Sequence, residues 1–180
     1  SGDATFEINK SGYPVAGGNN GYIGRADSNA GTSLRYEQWA DTGALGFTRA
    51  GVADNTFSAP GAASPTEDTH VTYRWTQATS TMDLFINGAA TDSIAGATFE
   101  MPTGPGHLGN VSDGGGEGMI GTIHRITTYD ILLNDATIQQ HANAWLATGD
   151  PSIGVPTNVD LVLDGSTQSF ELLVKNLGQS

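Results

Sequence analysis

A tryptophan with charged neighbours on one side of a predicted strand is the most chemically suggestive feature of this 180-residue sequence. In the segment LRYEQWADTGALGF, Arg35, Glu37 and Trp39 stand two residues apart, and alternate residues of a β-strand share a face. An aromatic ring flanked by hydrogen-bonding groups suits a ligand such as a sugar, which has both C–H faces and hydroxyls. Burial of Trp39 between two sheets is the alternative, although its charged neighbours favour exposure. The other aromatic candidates are Tyr13 and Tyr22, expected in loops, and Trp75, which opens a turn rich in Thr and Ser and is expected to be exposed.

Acidic residues in predicted loops are candidate calcium ligands. Calcium takes about six to eight oxygen ligands from carboxylates and backbone carbonyls. The loop SDGGGEG supplies Asp113 and Glu117, and the segment GVADN supplies Asp54. Neither segment matches the EF-hand pattern, so a solvated acidic surface remains the alternative. The chain has no cysteine, and its four histidines lack the spacing of a zinc site.

No catalytic set follows from the residue pattern. A retaining glycosidase needs two carboxyl groups about 5 Å apart, and no strand carries the alternating acids that would supply them. His70 and Arg74 are predicted to share one face of a strand, with Tyr73 on the opposite face. No serine lies in a G-x-S-x-G elbow. We therefore predict that the chain is not an enzyme and has no catalytic residues.

The charge balance restricts the class of partner. Seven Lys and Arg against nineteen Asp and Glu give a formal net charge of -12. Such a surface repels nucleic acid and anionic membranes, so neither is expected as a partner. No apolar run reaches the roughly 18 residues of a membrane span, so no membrane insertion is expected. The opening segment SGDATFEINK lacks an apolar signal core and is typical of the interior of a longer precursor.

Strand and turn signals dominate the segments that would hold these residues. The chain contains 25 glycines, and most of its apolar residues alternate with polar ones. In TMDLFINGAATDSI, residues 81–94, Met82, Leu84 and Ile86 are predicted to face a core. The pair Asn87 and Gly88 supplies the positive φ angles of a two-residue hairpin turn. These signals predict an all-β sandwich of two antiparallel sheets.

The C-terminal third contains one helical signal followed by a different kind of tail. A short helix is predicted near residues 135–147, beginning after Asn134 or Asp135. Its buried stripe is predicted to contain Ile138, Ala142, Trp145 and Leu146. We divide the chain into a domain over residues 1–150 and a linker with a β-hairpin tail over residues 151–180. That tail either begins a following β-domain or adds edge strands to the first.

Two segments resemble signatures of laminin-G-like, concanavalin-A-like domains. They are THVTYRW…TMDLFINGAA and MIGTIHRITTYDILLNDATIQQHANA, and the likeness covers about residues 4–148. The resemblance implies a jelly-roll sandwich and carbohydrate binding, and members of this superfamily frequently hold calcium. The strand that customarily precedes ATFEI is missing, and a tail strand at residues 168–174 is expected to cover the edge that it leaves.

These features together predict a non-catalytic recognition module of a larger bacterial protein, secreted or at the cell surface. A glycan or polysaccharide is the expected partner, together with neighbouring domains of the parent protein. Two alternatives remain open: a structural or adhesive module that binds proteins, and a polysaccharide-degrading enzyme on the same fold.

Overall fold

The computed structural model describes residues 2–11, 21–24, 32–35, 43–59, 61, 67–101, 107–110, 118, 121–148 and 171–173. These residues form eleven β-strands and one α-helix. The strands are β1 (Ala4–Ser11), β2 (Gly21–Gly24), β3 (Thr32–Arg35), β4 (Gly46–Arg49), β5 (Ala53–Thr56), β6 (Thr69–Thr76), β7 (Thr81–Ile86), β8 (Ala89–Ile94), β9 (His107–Leu108), β10 (Thr122–Tyr129) and β11 (Glu171–Leu173). The helix is α1 (Asp135–Thr148), and a short 3-10 turn, Gln77–Thr79, links β6 to β7.

The strands form two antiparallel sheets. A six-stranded sheet has the order β11-β10-β1-β6-β7-β8, and a five-stranded sheet has the order β5-β4-β3-β2-β9. All pairings between named strands are antiparallel. The predicted all-β sandwich with a single helix is therefore confirmed in the described part of the chain.

The main hydrophobic core lies between the two sheets. Alternation along β1 turns Phe6 and Ile8 inward, and both are buried. Met82 and Leu84 of β7 are fully buried in the same core, and Ile86 packs against it, as the sequence predicts. The remaining large core side chains come from both sheets and their connections: Tyr22, Leu34, Leu45, Phe47, Phe57, Val71, Tyr73, Trp75, Phe99 and Ile126.

The turn between β7 and β8 also anchors neighbouring elements. Asn87 and Gly88 have φ angles of 51° and 82°, which are those of the predicted two-residue hairpin turn. The Asn87 side chain accepts a hydrogen bond from the His70 backbone N–H at 2.9 Å. The Asn87 carbonyl accepts another from the Gln139 side chain of α1 at 3.3 Å. This turn therefore joins β6, the hairpin and the helix.

Helix α1 packs on the outer face of the six-stranded sheet. Asn134 caps it, because its side-chain oxygen accepts a hydrogen bond from the Thr137 N–H at 2.9 Å. Ile138 is buried in a small second core with Phe85 and Leu133. The prediction that Leu146 belongs to the buried stripe is wrong, since this side chain is 42% exposed. No helix in the described ranges is long and apolar enough to cross a membrane.

A short tail strand extends the six-stranded sheet at its β10 side. The backbone of β11 pairs with β10, with Arg125 opposite Leu173 and Thr127 opposite Glu171. An edge strand presents unpaired N–H and C=O groups, and pairing with another strand satisfies some of them. The division of the chain at residue 150 stays a prediction.

Candidate functional site

The five-stranded sheet carries a row of polar side chains on its outer face. Leu34 of β3 and Phe47 of β4 are paired and buried in the core, so their neighbours along each strand face outward. The same register extends to β5, where Asp54 is opposite Thr48. We call the outward set the polar face, and it consists of Ser33, Arg35, Thr48, Asp54 and Thr56.

Within the polar face, exposure increases towards the sheet edge. Ser33 and Thr48 are buried, whereas Asp54 and Thr56 on the edge strand β5 are exposed. The Thr48 hydroxyl donates a hydrogen bond to Asp54 Oδ1 at 2.7 Å. This contact orients an exposed carboxylate at the edge of the sheet.

Arg35 brings a positive charge into the polar face. Arg35 is only 3% exposed, so its charge lies within the protein rather than in bulk solvent. Its backbone carbonyl accepts a hydrogen bond from the Tyr73 hydroxyl at 2.7 Å. Burial raises the pKa of Tyr73 well above its usual value, although a hydrogen bond from the Gly46 backbone acts in the opposite direction. The hydroxyl is therefore neutral at ordinary pH and remains a donor.

The structure places two of the predicted aromatic residues in the core. Tyr22 was expected in a loop, but it lies in β2, fully buried, with its ring centroid 6.5 Å from that of Tyr73. Trp75 was expected to be exposed, but it is 3% exposed and packs on Phe99 with ring centroids 5.3 Å apart. Both expectations of exposure are wrong, because the rings fill the space between the sheets.

The other predicted ligand residues divide into two groups. Arg35 and Asp54 both belong to the polar face. Trp39, Glu37, Tyr13, Asp113 and Glu117 lie outside the described residues, so their roles stay predictions. No group of three or more His, Asp or Glu side chains among the described residues is placed to hold a metal ion.

A buried polar cluster under α1 was missed by the residue patterns. The Glu7 carboxylate lies 2.9 Å from His141 Nδ1 and 3.5 Å from His70 Nε2, and it accepts a hydrogen bond from the Tyr129 hydroxyl at 3.1 Å. Burial raises the pKa of Glu7, but hydrogen bonds and charge from both histidines outweigh burial and lower it overall. The available signal was alternation, which puts Glu7 and His70 on outward positions of adjacent strands.

Comparisons with solved structures identify the fold. The chain is similar to the CBM40 of the Ruminococcus gnavus IT-sialidase bound to alpha2,3 sialyllactose, with a TM-score of 0.59 and 16% identity, covering 78% of this chain and 83% of that one. It is also similar to Domain 4 of AbnA, a GH43 extracellular arabinanase from Geobacillus stearothermophilus, in complex with arabinotriose. That match has a TM-score of 0.61 and 17% identity, and it covers 79% of this chain and 67% of the other. A heptameric SAP-like pentraxin from Limulus polyphemus matches with a TM-score of 0.60 and 18% identity, and the match covers 96% of this chain and 81% of the pentraxin chain.

No protein-family model matches this chain, and no curated protein sequence is significantly similar to it. The solved structures nevertheless share its lectin-like jelly-roll sandwich, which confirms the predicted fold. The narrower laminin-G-like assignment stays a prediction.

Proposed function

We propose that this chain is a non-catalytic carbohydrate-binding module of a larger bacterial protein, secreted or at the cell surface, and that it binds glycan on the polar face. The observation that carries this proposal is that a helix covers the outer face of one sheet and no described helix covers that of the other. Helix α1 packs on the outer face of the six-stranded sheet. The five-stranded sheet exposes the Asp54 carboxylate and the Thr56 hydroxyl at its edge, with the buried Arg35 assigned to the same face, and no described helix packs there.

The chemistry of the polar face suits sugar hydroxyls. A carboxylate accepts hydrogen bonds from hydroxyl groups, and charge-assisted bonds of this kind are stronger than neutral ones. Asp54 is the exposed acceptor, oriented by Thr48, and Thr56 is an exposed donor and acceptor beside it. The aromatic platform is assigned to Trp39, four residues beyond Arg35 in the sequence.

Two of the structural likenesses support a glycan as the ligand class. The ligands bound in those two structures are alpha2,3 sialyllactose and arabinotriose. Identities of 16% and 17% do not transfer either sugar to this chain. A protein-binding adhesive module is the alternative that the experiment below separates from glycan binding.

The position of the acid–base residues supports a non-catalytic role. Glu7 and His70 are buried beneath α1, on the side of the sandwich away from the polar face. A polysaccharide chain on the five-stranded sheet would not reach them. Turnover of a polysaccharide by the purified chain would overturn this part of the proposal.

We further propose that calcium is bound by loop carboxylates, with Asp113 and Glu117 as one candidate pair and Asp54, on β5, as a separate candidate ligand. Carboxylate oxygens are preferred calcium ligands. Thermal unfolding with calcium and with EDTA tests this assignment, because an ion that binds only the folded state raises the melting temperature. Equal melting temperatures would overturn it.

A glycan array followed by calorimetric titration of the best hit tests the main proposal. Asp54→Ala and Trp39→Ala should each weaken binding by about tenfold or more, since each removes a direct ligand contact. Asp130→Ala is the matched control, because it removes an exposed carboxylate beside the six-stranded sheet and should change affinity by less than about twofold. An array without a hit, or normal binding by both site variants, would overturn the proposed site.

A further inference from the structure

Tyr73 places a hydroxyl group in the core between the two sheets. The residue is fully buried on β6, and its ring packs against Phe57 with centroids 6.1 Å apart. Phenylalanine would fill the same ring volume without a polar atom. Burying a hydroxyl costs free energy unless it is hydrogen-bonded, so the partners of this one indicate its role.

Both partners of the hydroxyl lie on the opposite sheet. It donates to the Arg35 carbonyl of β3 at 2.7 Å, and it accepts a hydrogen bond from the Gly46 backbone of β4. Arg35 and Gly46 are opposite each other in the β3–β4 ladder. One side chain from the six-stranded sheet therefore binds two strands of the five-stranded sheet at a single ladder position.

That ladder position is where β3 ends. Arg35 is its last residue, and its side chain belongs to the polar face. The chain continues from there through residues 36–42, which include Glu37 and Trp39 in the sequence. Holding the Arg35 and Gly46 backbones fixes the backbone position from which the Arg35 side chain projects.

We propose that Tyr73 is a positioning residue for the glycan surface, acting from the core through the Arg35 and Gly46 backbones. This inference rests on the proposed function, because it assigns Tyr73 to the support of that surface. A positioning role for Tyr73 differs from a purely structural role in one testable respect. The hydroxyl, rather than the ring, controls the local order of Arg35 and the affinity for glycan.

The test compares Tyr73→Phe with Tyr129→Phe. Both substitutions remove one hydroxyl with one defined acceptor, but Tyr129 donates to Glu7 on the far side of the six-stranded sheet. Two measurements need no ligand: amide hydrogen exchange at Gly46, and the NMR signal of the Arg35 Nε–H group. Exchange is read under conditions where both variants are folded, so that local opening is separated from global unfolding.

In Tyr73→Phe, Gly46 should exchange about fivefold faster or more than in the parent chain, since a single hydrogen bond has a typical effect of this size. The Arg35 Nε–H signal should broaden or shift. Affinity for the best glycan should fall by a similar factor, and Tyr129→Phe should leave all three readouts unchanged. Equal behaviour of the two variants at Gly46 and Arg35 would overturn the positioning role.

The outcomes separate the two proposals. If the parent chain binds glycan and Tyr73→Phe binds equally well, the positioning role fails while the proposed function stands. If the parent chain binds no glycan, the proposed function fails, and the positioning role for a glycan surface fails with it. The Gly46 and Arg35 measurements then report whether the hydroxyl orders the strand ends.

Discussion

His141 and Glu7 join α1 to the first strand of the sandwich across 134 residues of sequence. The histidine Nδ1 lies 2.9 Å from one carboxylate oxygen and 3.1 Å from the other. His70 and Tyr129 approach the same carboxylate from β6 and β10. The helix is therefore attached through a buried charged group as well as through the apolar contacts of Ile138.

Replacement of Glu7 by glutamine should destabilise the fold by about 2 kcal/mol, because it removes the charge that both histidines contact while the site remains buried. Urea denaturation followed by tryptophan fluorescence measures the change. Glu100→Gln is the matched control, since it breaks the more exposed ion pair with Arg49 and should cost less than about 1 kcal/mol. Equal losses in the two variants would contradict this account of Glu7.

Glu7 should also make the fold sensitive to acid. Its pKa is lowered in the folded chain, because His70 and His141 outweigh the effect of burial. The folded state then binds fewer protons than the unfolded chain, so this contribution is present above the unfolded value and is lost as pH falls. Urea midpoints measured from about pH 6 down to about pH 3 should fall more steeply for the parent chain than for Glu7→Gln. Parallel curves would contradict the prediction.

Lys10 should also make stability rise with pH, but in an alkaline rather than an acidic range. Burial lowers its pKa to about 8, although the charges of Glu67 and Asp68 act in the other direction. Above this value the folded chain loses the proton while the unfolded chain keeps it, so stability should rise with pH by at most about 1.4 kcal/mol per unit. Denaturation between about pH 8 and about pH 9.5 tests this, because the window ends before unfolded tyrosines ionise.

Lys10→Met is the comparison for that experiment. Methionine has a similar length and no titrating group, so its stability should lack the rise attributed to Lys10. An identical pH dependence in the parent chain and in this variant would contradict the prediction.

Local sequence rules predicted the sandwich well because its hairpins obey them. Met82 and Leu84 alternate with outward residues, and Asn87 with Gly88 can form only a few turn types. The helix start was predictable because Asn134 caps it with its own side chain. Each of these features depends on a few adjacent residues.

The site was less predictable because it depends on registers between distant strands. Alternation along β10 predicts that His124 faces away from Tyr129. A register shift opposite Asn9 and Lys10 instead turns His124 towards α1, where its ring centroid lies 5.0 Å from that of Trp145. Alternation puts Trp75 on the same face of β6 as Tyr73, but its contact with Phe99 joins residues 24 positions apart in the sequence. Arg35 and Asp54 were predicted from residue type, but their common face appears only when β3, β4 and β5 are aligned.

Replacement of Gly88 by alanine should be among the most damaging single substitutions in the β7–β8 hairpin. A Cβ atom there would lie 2.7 Å from the Gln139 Cα atom, which belongs to the helix backbone and cannot rotate away. Relief of the contact requires α1 or the hairpin to move, with loss of the Gln139 hydrogen bond to Asn87. We expect a loss of at least about 3 kcal/mol, the sum of an unfavourable φ angle and overpacking.

Gly96→Ala separates the two contributions to that loss. Gly96 has a φ angle of 67°, close to that of Gly88, but a Cβ atom there has nothing within 4 Å. This variant should therefore lose only the backbone contribution of about 1 kcal/mol, and the difference between the two variants measures the contact with α1. Urea denaturation of both variants provides the comparison. If they lose the same stability, the hairpin does not pack on the helix as closely as the Gln139 contact requires.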